Sequence, residues 1–342
     1  MKALVLHEWN GPLVLEERPV PQPGPGEVLV RVLACAPDAF DVKIREGRVP
    51  GTRLPLVLGH EIAGTVAALG PGVSGLAVGQ RVTNSLYLTC GSCRFCRTGR
   101  ETLCLNFGGY VGQAIDGGYA EYVVLPAANV FPAPERLAPA ECAILGNCLG
   151  TAYHAVRERA RVQPLDDVVV VGGGGGVGIH AVQMAALFGG RVIAVDRGPQ
   201  KLLRARELGA SAVVDAAQED VAAAVRALTG GKGADVVIEL AGTTASLEAS
   251  LRALARAGRL VVIGSVGGAE LRFDPSLLYA NEYVITGSRN YTRQELLDVI
   301  QLVQEGRVRP VVSRLFPLEQ AEEVHALLRA GEIVGRAALQ LG

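Results

Sequence analysis

No apolar run in the chain reaches the roughly 18 residues needed to cross a bilayer. The opening stretch MKALVLHEWN, interrupted by His7 and Glu8, is too short an apolar segment for a secretion signal. A cytoplasmic address with no membrane partner is expected. Basic excess is also absent: 33 Lys and Arg face 34 Asp and Glu, for a formal net charge of −1. Nothing in that balance suits the capture of nucleic acid, whose phosphates demand a cationic surface. There is no block of like charge and no repeat at a period of roughly 20 to 50 residues, which excludes a disordered tail protein and a solenoid. The glycines follow no three-residue period, so collagen is excluded as well.

What is present is an ordinary globular balance, 49% hydrophobic and 20% charged over 342 residues, long enough for two domains and a large core. Glycine is abundant at 43, so many tight turns are expected. The cysteines number seven, and Cys90, Cys93, Cys96 and Cys104 crowd into one short segment. In a reducing compartment such clustering points to metal rather than to disulfides.

Two styles of sequence follow one another. From Lys2 to about Val130 short apolar strands are broken by Pro and Gly, which predicts an irregular β lobe. The Ala-rich stretch from Glu135 to Val156 is helical in pattern. From Asp167 the strand DVVVV, a glycine run, the helix HAVQMAALFG, the strand RVIAVD and further alternating elements predict βαβ units around a parallel sheet of about six strands. A helix from Ala245 to Ala257, the strand RLVVIGS and a strand near Glu282 complete it. Beyond Tyr291, two amphipathic helices and two strands, the last GRAALQL, are expected to return to the first lobe.

G-x-G-x-x-G fits best as Gly173, Gly175 and Gly178, directly after a strand and opening a helix. Glycine there permits the tight turn and lets backbone N–H groups approach a pyrophosphate, whose charge the helix N-terminus favours. The next strand ends in Asp196, where a carboxylate can accept hydrogen bonds from an adenosine ribose and repel a 2′-phosphate. NAD is therefore favoured over NADP, although Arg197 could pair with such a phosphate. Gly176, Val177, Lys201 and the strand-ending Gly242 and Gly264 complete the expected cofactor-binding set.

The spacing Cys90-x2-Cys93-x2-Cys96-x7-Cys104 supplies four soft ligands in one loop, as tetrahedral Zn²⁺ prefers. With four protein ligands no position stays open, so such a zinc is structural.

This loop ahead of a dinucleotide turn, together with Gly59-His60-Glu61-x2-Gly64-x5-Gly70-x2-Val73, resembles the zinc-containing alcohol dehydrogenases of the medium-chain dehydrogenase/reductase superfamily. The likeness spans nearly the whole chain. It implies an α/β protein with a Rossmann doubly wound parallel sheet and a GroES-like β-rich catalytic domain, divided as 1–147, 148–290 for coenzyme and a return over 291–342. It further implies a homodimer or homotetramer. The resemblance makes His60 a ligand of a second, catalytic zinc, Glu61 an exchangeable ligand and Asp41 the group that orients His60.

The sequence departs from that pattern where the chemistry lies. Asp38 stands where the family usually has a zinc-binding Cys, and Cys35 is three residues too early. Phe40 takes the place of the Ser or Thr that passes the alcohol proton, and Lys43 that of the relay His. The third ligand aligns with Asn147, with Cys148 one residue on. Two readings stay open. Either Asp38, His60, Glu61 and Asn147 hold Zn²⁺ and the enzyme moves hydride between nicotinamide and an alcohol or carbonyl, or the metal is lost and the protein is an enoyl or quinone reductase acting on an enone. A nucleotide-binding protein without catalysis is a third possibility. His154, His180 and His325 read as packing or surface groups, Trp9, Tyr87, Phe107 and Tyr110 as core or loop anchors, and Cys142 as a buried apolar group.

Overall fold

The structure is a computed structural model, and it describes residues 1–341. The chain divides into two compact units, one built from Met1–Asn147, Thr292–Gln304 and the stretch from Pro310 onward, the other from Cys148–Tyr291 and Glu305–Arg309.

In the second unit the run DVVVV forms the strand Asp167–Val171, all five residues of which are buried. A strand covered on both faces carries apolar residues without alternation, and this one is central. The six parallel strands lie in the order Ala212–Asp215, Arg191–Asp196, Asp167–Val171, Ala234–Glu239, Leu254–Val262, Val284–Gly287. The winding direction reverses between Asp167–Val171 and Ala234–Glu239, where open sheets of this kind bind ligands beyond the strand ends. The helix expected to run to Ala257 ends at Ala253. The chain passes straight into the strand Leu254–Val262, with Ala257 at a positive φ of 58°.

The first unit is built on antiparallel β structure. Glu27–Cys35 pairs with Ile62–Leu69 and with Tyr122–Pro126, and the core gathers Val28, Val30, Val32, Ile62, Val66 and Val123 on the inner side. The last strand, Arg336–Gln340, joins this sheet antiparallel to Glu27–Cys35 and lies parallel to Val312–Pro317. The end of the sequence thus returns to the first lobe. One short helix, Ala39–Arg45, follows Glu27–Cys35. The Ala-rich stretch is helical but irregular: the helix Pro139–Ala143 gives way to a π-helical turn over Leu145–Gly150, which carries Asn147. Single π-turns recur at functional sites because the wider turn re-aims a side chain.

Candidate active site

The four cysteines meet as the spacing predicts. Their sulfurs lie 3.5 to 4.0 Å apart in the pairs Cys93–Cys96, Cys90–Cys104, Cys90–Cys96 and Cys93–Cys104. With Zn–S bonds near 2.3 Å, the edge of a sulfur tetrahedron is about 3.8 Å. Backbone N–H groups of Cys93 and Leu105 point at Cys90 and Cys93 sulfurs, the usual support for thiolate charge. Hydrogen bonds from the Ser92 backbone, the Ser92 hydroxyl and the Cys93 N–H pull the Cys90 thiol down to about 5, whereas burial and the Cys93 and Cys104 thiols push Cys96 up to about 12. Four sulfurs at this spacing suit a tetrahedral cation that would hold all of them as thiolates, and Zn²⁺ fits.

The second cluster is assembled around the start of the helix Ala39–Arg45. Asp38 caps that helix, accepting from the Phe40 and Asp41 backbone N–H groups at 2.6 and 3.3 Å, and Asp41 reaches back to the Asp38 N–H at 3.0 Å. This reciprocal box fixes both carboxylates. The other oxygen of Asp41 accepts from the Gly59 N–H and lies 3.2 Å from His60 Nδ1. Gly59 has φ +97°, and a Cβ there would stand 2.5 Å from the Tyr119 ring and 2.7 Å from Cys35 Sγ. Only glycine fits, so the Gly-His-Glu order is a packing requirement as well as a chemical one.

Asn147 closes the cluster. Its Nδ2 lies 3.1 Å from Asp38 Oδ2, 2.8 Å from Glu61 Oε1 and 3.2 Å from His60 Nε2. Arg336 joins it, donating to Asp38 Oδ2 at 3.1 Å and to both Glu61 oxygens at 2.7 and 3.2 Å. Arg336 was not visible as a site residue from the sequence, because only the pairing of the last strand with Glu27–Cys35 brings it here. Asp38, Asp41, His60, Glu61 and Arg336 are all buried.

Burial opposes the charge on Asp38, but His60 and Arg336 outweigh it and hold that carboxyl well below its ordinary range. Burial works against a charged His60, yet Asp41 and Asp38 raise its pKa well above the ordinary value. Glu61 goes the other way: burial raises its pKa, which Arg336 only partly offsets. Three carboxyl groups thus share one guanidinium, which touches Asp38 and Glu61. With all three ionised, a proton on His60 offsets one of the two excess negative charges, and a divalent cation would offset both.

The donor set fits such a cation. Asp38 Oδ2 and His60 Nε2 lie 3.6 Å apart, and with Asn147 they are spaced much as ligands on one Zn²⁺, whose tetrahedral edges with O and N donors are about 3.3 Å. A half-turn of the Asn147 amide would present its oxygen as a ligand. Asp38, Asp41 and His60 form one of the two groups among the described residues with metal-binding spacing, the cysteine loop being the other.

Phe40 meets His60 edge-on at 5.6 Å and Tyr110 at 5.0 Å, and Phe107 and Tyr87 continue this aromatic set. Trp9 stands outside it, 42% exposed. Lys43 is half-buried on the helix begun by Asp38. Cys35 is buried beside Gly59 and Gly118, and Cys142 is buried too. His180 is buried with Nδ1 2.6 Å from the Gly176 carbonyl, and His325 is fully buried rather than on the surface.

In the second unit the glycine turn joins Asp167–Val171 to the helix Gly176–Leu187, with Gly175 at its N-cap. The left-handed position is Gly172, at φ +80°, ahead of Gly173, and Gly174 is the glycine whose Cβ would strike Lys201, at 2.4 Å. Neither belongs to the expected fingerprint, because five glycines in a row conceal which one makes the turn. Gly178 lies against the Gly172 carbonyl, where a Cβ would come to 1.9 Å. Asp196 accepts from the Gly174 N–H at 2.8 Å and from the Arg197 N–H at 2.7 Å, with Lys201 Nζ 3.7 Å away. Asp196 and Arg197 line a cavity of about 530 Å³ with Glu219, Thr243 and Arg252. Gly242 and Gly264 pack backbone to backbone at the ends of their strands, where a Cβ on either would approach within 2.4 Å. The Glu239 carboxylate receives the Gly242 N–H at 2.9 Å.

A glycine turn of this form on a doubly wound sheet, in one chain with a four-cysteine loop and a Gly-His-Glu cluster, defines a zinc-binding dehydrogenase. Residues 24–135 match the alcohol dehydrogenase GroES-like domain and residues 176–305 the zinc-binding dehydrogenase domain. The chain belongs to that family and is an oxidoreductase of the zinc-type alcohol dehydrogenase kind. It is 36% identical to the NAD-dependent alcohol dehydrogenase of Sulfurisphaera tokodaii, over 99% of each chain. A solved NAD-dependent alcohol dehydrogenase matches it with a TM-score of 0.95 at 39% identity, over 100% of both chains. The acryloyl-coenzyme A reductase of Sulfurisphaera tokodaii is 31% identical over 98% of each chain. No helix among the described residues is long and apolar enough to cross a membrane.

Proposed function

We propose that the protein is a cytoplasmic, homo-oligomeric NAD(H)-dependent alcohol dehydrogenase with one structural and one catalytic zinc. The carrying observation is the convergence of Asp38, His60, Glu61 and Asn147 on one buried point with more negative charge than Arg336 offsets. Asp38 and His60 would be the principal ligands, with Asn147 or Glu61 beside them. A zinc so held would act as Lewis acid on the oxygen of an alcohol or carbonyl while the nicotinamide exchanges hydride with the attached carbon. Asp41 fixes His60 with Nδ1 toward itself and Nε2 toward the cluster. Phe40 offers no hydroxyl to carry the alcohol proton, so proton exit does not use that position.

In the coenzyme unit, Gly172 to Gly178 and the start of the following helix would receive the pyrophosphate, and Asp196 the adenosine ribose. The carboxylate of Asp196 favours NAD over NADP, which agrees with the NAD dependence named for the relatives.

One observation favours a second reading. Asn147 and Arg336 already satisfy Asp38 and Glu61 by hydrogen bonds, so the cluster is closed without a metal, as in a reductase that adds hydride to the C=C of an enone or enoyl thioester. Metal analysis of the purified protein separates the two. Two zinc per chain is the expected result, and one zinc, held by the cysteines, would sink the alcohol dehydrogenase mechanism in favour of the reductase.

A further inference from the structure

The strand Ala234–Glu239 ends in a carboxylate with no exposure to solvent. Each oxygen of Glu239 receives a backbone N–H from the turn that follows, Oε1 from Ala241 at 3.2 Å and Oε2 from Gly242 at 2.9 Å. Burial raises the pKa of this carboxyl, and the N–H groups of Gly242 and Ala241 draw it part of the way back. A carboxylate in the interior is costly, and an apolar residue would avoid that cost.

The main chain of the same residue holds a second turn. The Glu239 carbonyl accepts from the Ile263 and Gly264 N–H groups at 2.9 and 3.0 Å, just beyond the adjacent strand Leu254–Val262. The two turns interlock. Val266 donates its N–H to the Gly242 carbonyl at 3.0 Å, and a Cβ on Gly264 would come to 2.2 Å from the Leu240 carbonyl oxygen. Gly242 itself lies at φ +66°, in the left-handed region that glycine enters freely.

The first turn also rests on the glycine run. Leu240 donates its N–H to the Val171 carbonyl at 3.1 Å. A Cβ on Gly172 would stand 3.4 Å from Leu240 Cβ and 3.7 Å from the Ala241 nitrogen. Gly172, Ala241 and Thr243 line the cavity of about 530 Å³ together with Asp196. Glu239 therefore fixes one wall of that cavity from behind.

We propose that Glu239 is a positioning residue for the dinucleotide, holding the turn 240–243 against Gly172 so that the cavity keeps its binding shape while empty. The proposal rests on the assignment of this cavity to the coenzyme. Two N–H groups converge on one side chain, and only a carboxylate offers an acceptor oxygen to each. A glutamine would set its NH₂ against one of them, and an apolar residue would leave both unpaired in the interior. A wall ordered in advance spares the nucleotide the cost of ordering it on binding.

The test uses the full chain with Glu239→Gln, and with Asp167→Asn as a control for stability alone. Asp167 begins the central strand, at the end away from the glycine turn, and pairs with Arg191 and Lys232. NADH and ADP-ribose are titrated into each protein, and amide hydrogen exchange over 240–246 is followed by mass spectrometry. In Glu239→Gln the Kd for both ligands should rise about 10-fold, as one hydrogen bond lost in the interior implies. Turnover at saturating NAD should stay near the wild-type value, so that the loss falls on KM for NAD. Exchange over 240–246 should be faster in free Glu239→Gln than in free wild type, and saturating ADP-ribose should remove the difference. Asp167→Asn should melt earlier yet bind both ligands as the wild type does. Glu239→Asp keeps the charge, but its shorter reach cannot serve both N–H groups, and it should weaken binding in the same way if Glu239→Gln fails to fold. Unchanged Kd values in the Glu239 variants, or an equal loss in Asp167→Asn, overturn the proposal and leave a packing role. A wild type that binds neither ligand takes the cavity away from the coenzyme, and the proposal then falls with that assignment.

Discussion

Arg336 donates to Glu61 through two nitrogens, at 2.7 Å to Oε1 and 3.2 Å to Oε2, from a position 275 residues further along the chain. Both groups are buried, and the same guanidinium reaches Asp38. Removing one partner of a buried pair leaves the other charge uncompensated, which costs about 3 to 5 kcal/mol. Arg336→Met should therefore lower the stability of the protein by about that much in denaturant or thermal unfolding. Adding Glu61→Gln should recover part of the loss, and an unchanged melting temperature in Arg336→Met would contradict the buried pairing.

Asp38 has a sharper test. Asp38→Ala removes a helix cap, a partner of Asn147 and a proposed ligand at once. The cap alone is worth about 1 kcal/mol, and loss of the ligand should take one zinc with it. The zinc content should fall from two to one per chain, with activity lost. Unchanged zinc and turnover would remove Asp38 from the ligand set.

The cysteine loop predicts a different failure. Cys96→Ser, or prolonged chelation, should remove the zinc there and destabilise the protein by several kcal/mol, because structural zinc supplies folding free energy directly. The readout is melting temperature against metal content. A chelated protein that loses that zinc and melts as before would show that the loop folds without it.

Acidity bears on His60 in a definite direction. Its pKa in the folded, metal-free protein lies well above the ordinary value of 6.5. A raised folded pKa adds stability that is fully present below 6.5 and is lost as pH climbs through the folded value. Metal-stripped wild type should therefore lose its advantage over His60→Gln as the solution turns alkaline. Zinc uptake near neutrality should release a proton, because the ligand imidazole must be neutral. An indicator dye reads that release, and no proton release at the second site would argue against His60 as ligand.

For the cofactor, Asp196→Ala should relax the preference for NAD toward NADP, read as the ratio of their kcat/KM values. Gly178→Ala should abolish NADH binding in a fluorescence titration, since its Cβ would fall 1.9 Å from the Gly172 carbonyl. An unaltered NAD:NADP ratio in the first variant would remove Asp196 from the ribose contact.

Much of this architecture could be read from local pattern. The unbroken apolar strand Asp167–Val171 and the cysteine spacing are signals carried by neighbouring residues, and short-range geometry turns them into structure with few alternatives. The capping box of Asp38 and Asp41 is equally local. Arg336 was illegible for the opposite reason. Its place in the cluster depends on strand pairing between distant segments, and an Arg carries no mark of the partner that folding will give it. Gly172 was hidden differently: in five consecutive glycines the backbone, not the residue type, selects the one with positive φ.

The late strand Arg336–Gln340 also sets an order of events in the making of the protein. Asp38 and Glu61 are synthesised early, yet their counter-charge follows Glu61 by 275 residues. Until then the young lobe must keep two carboxyl groups hydrated or protonated, so its interior cannot dry out ahead of that late strand.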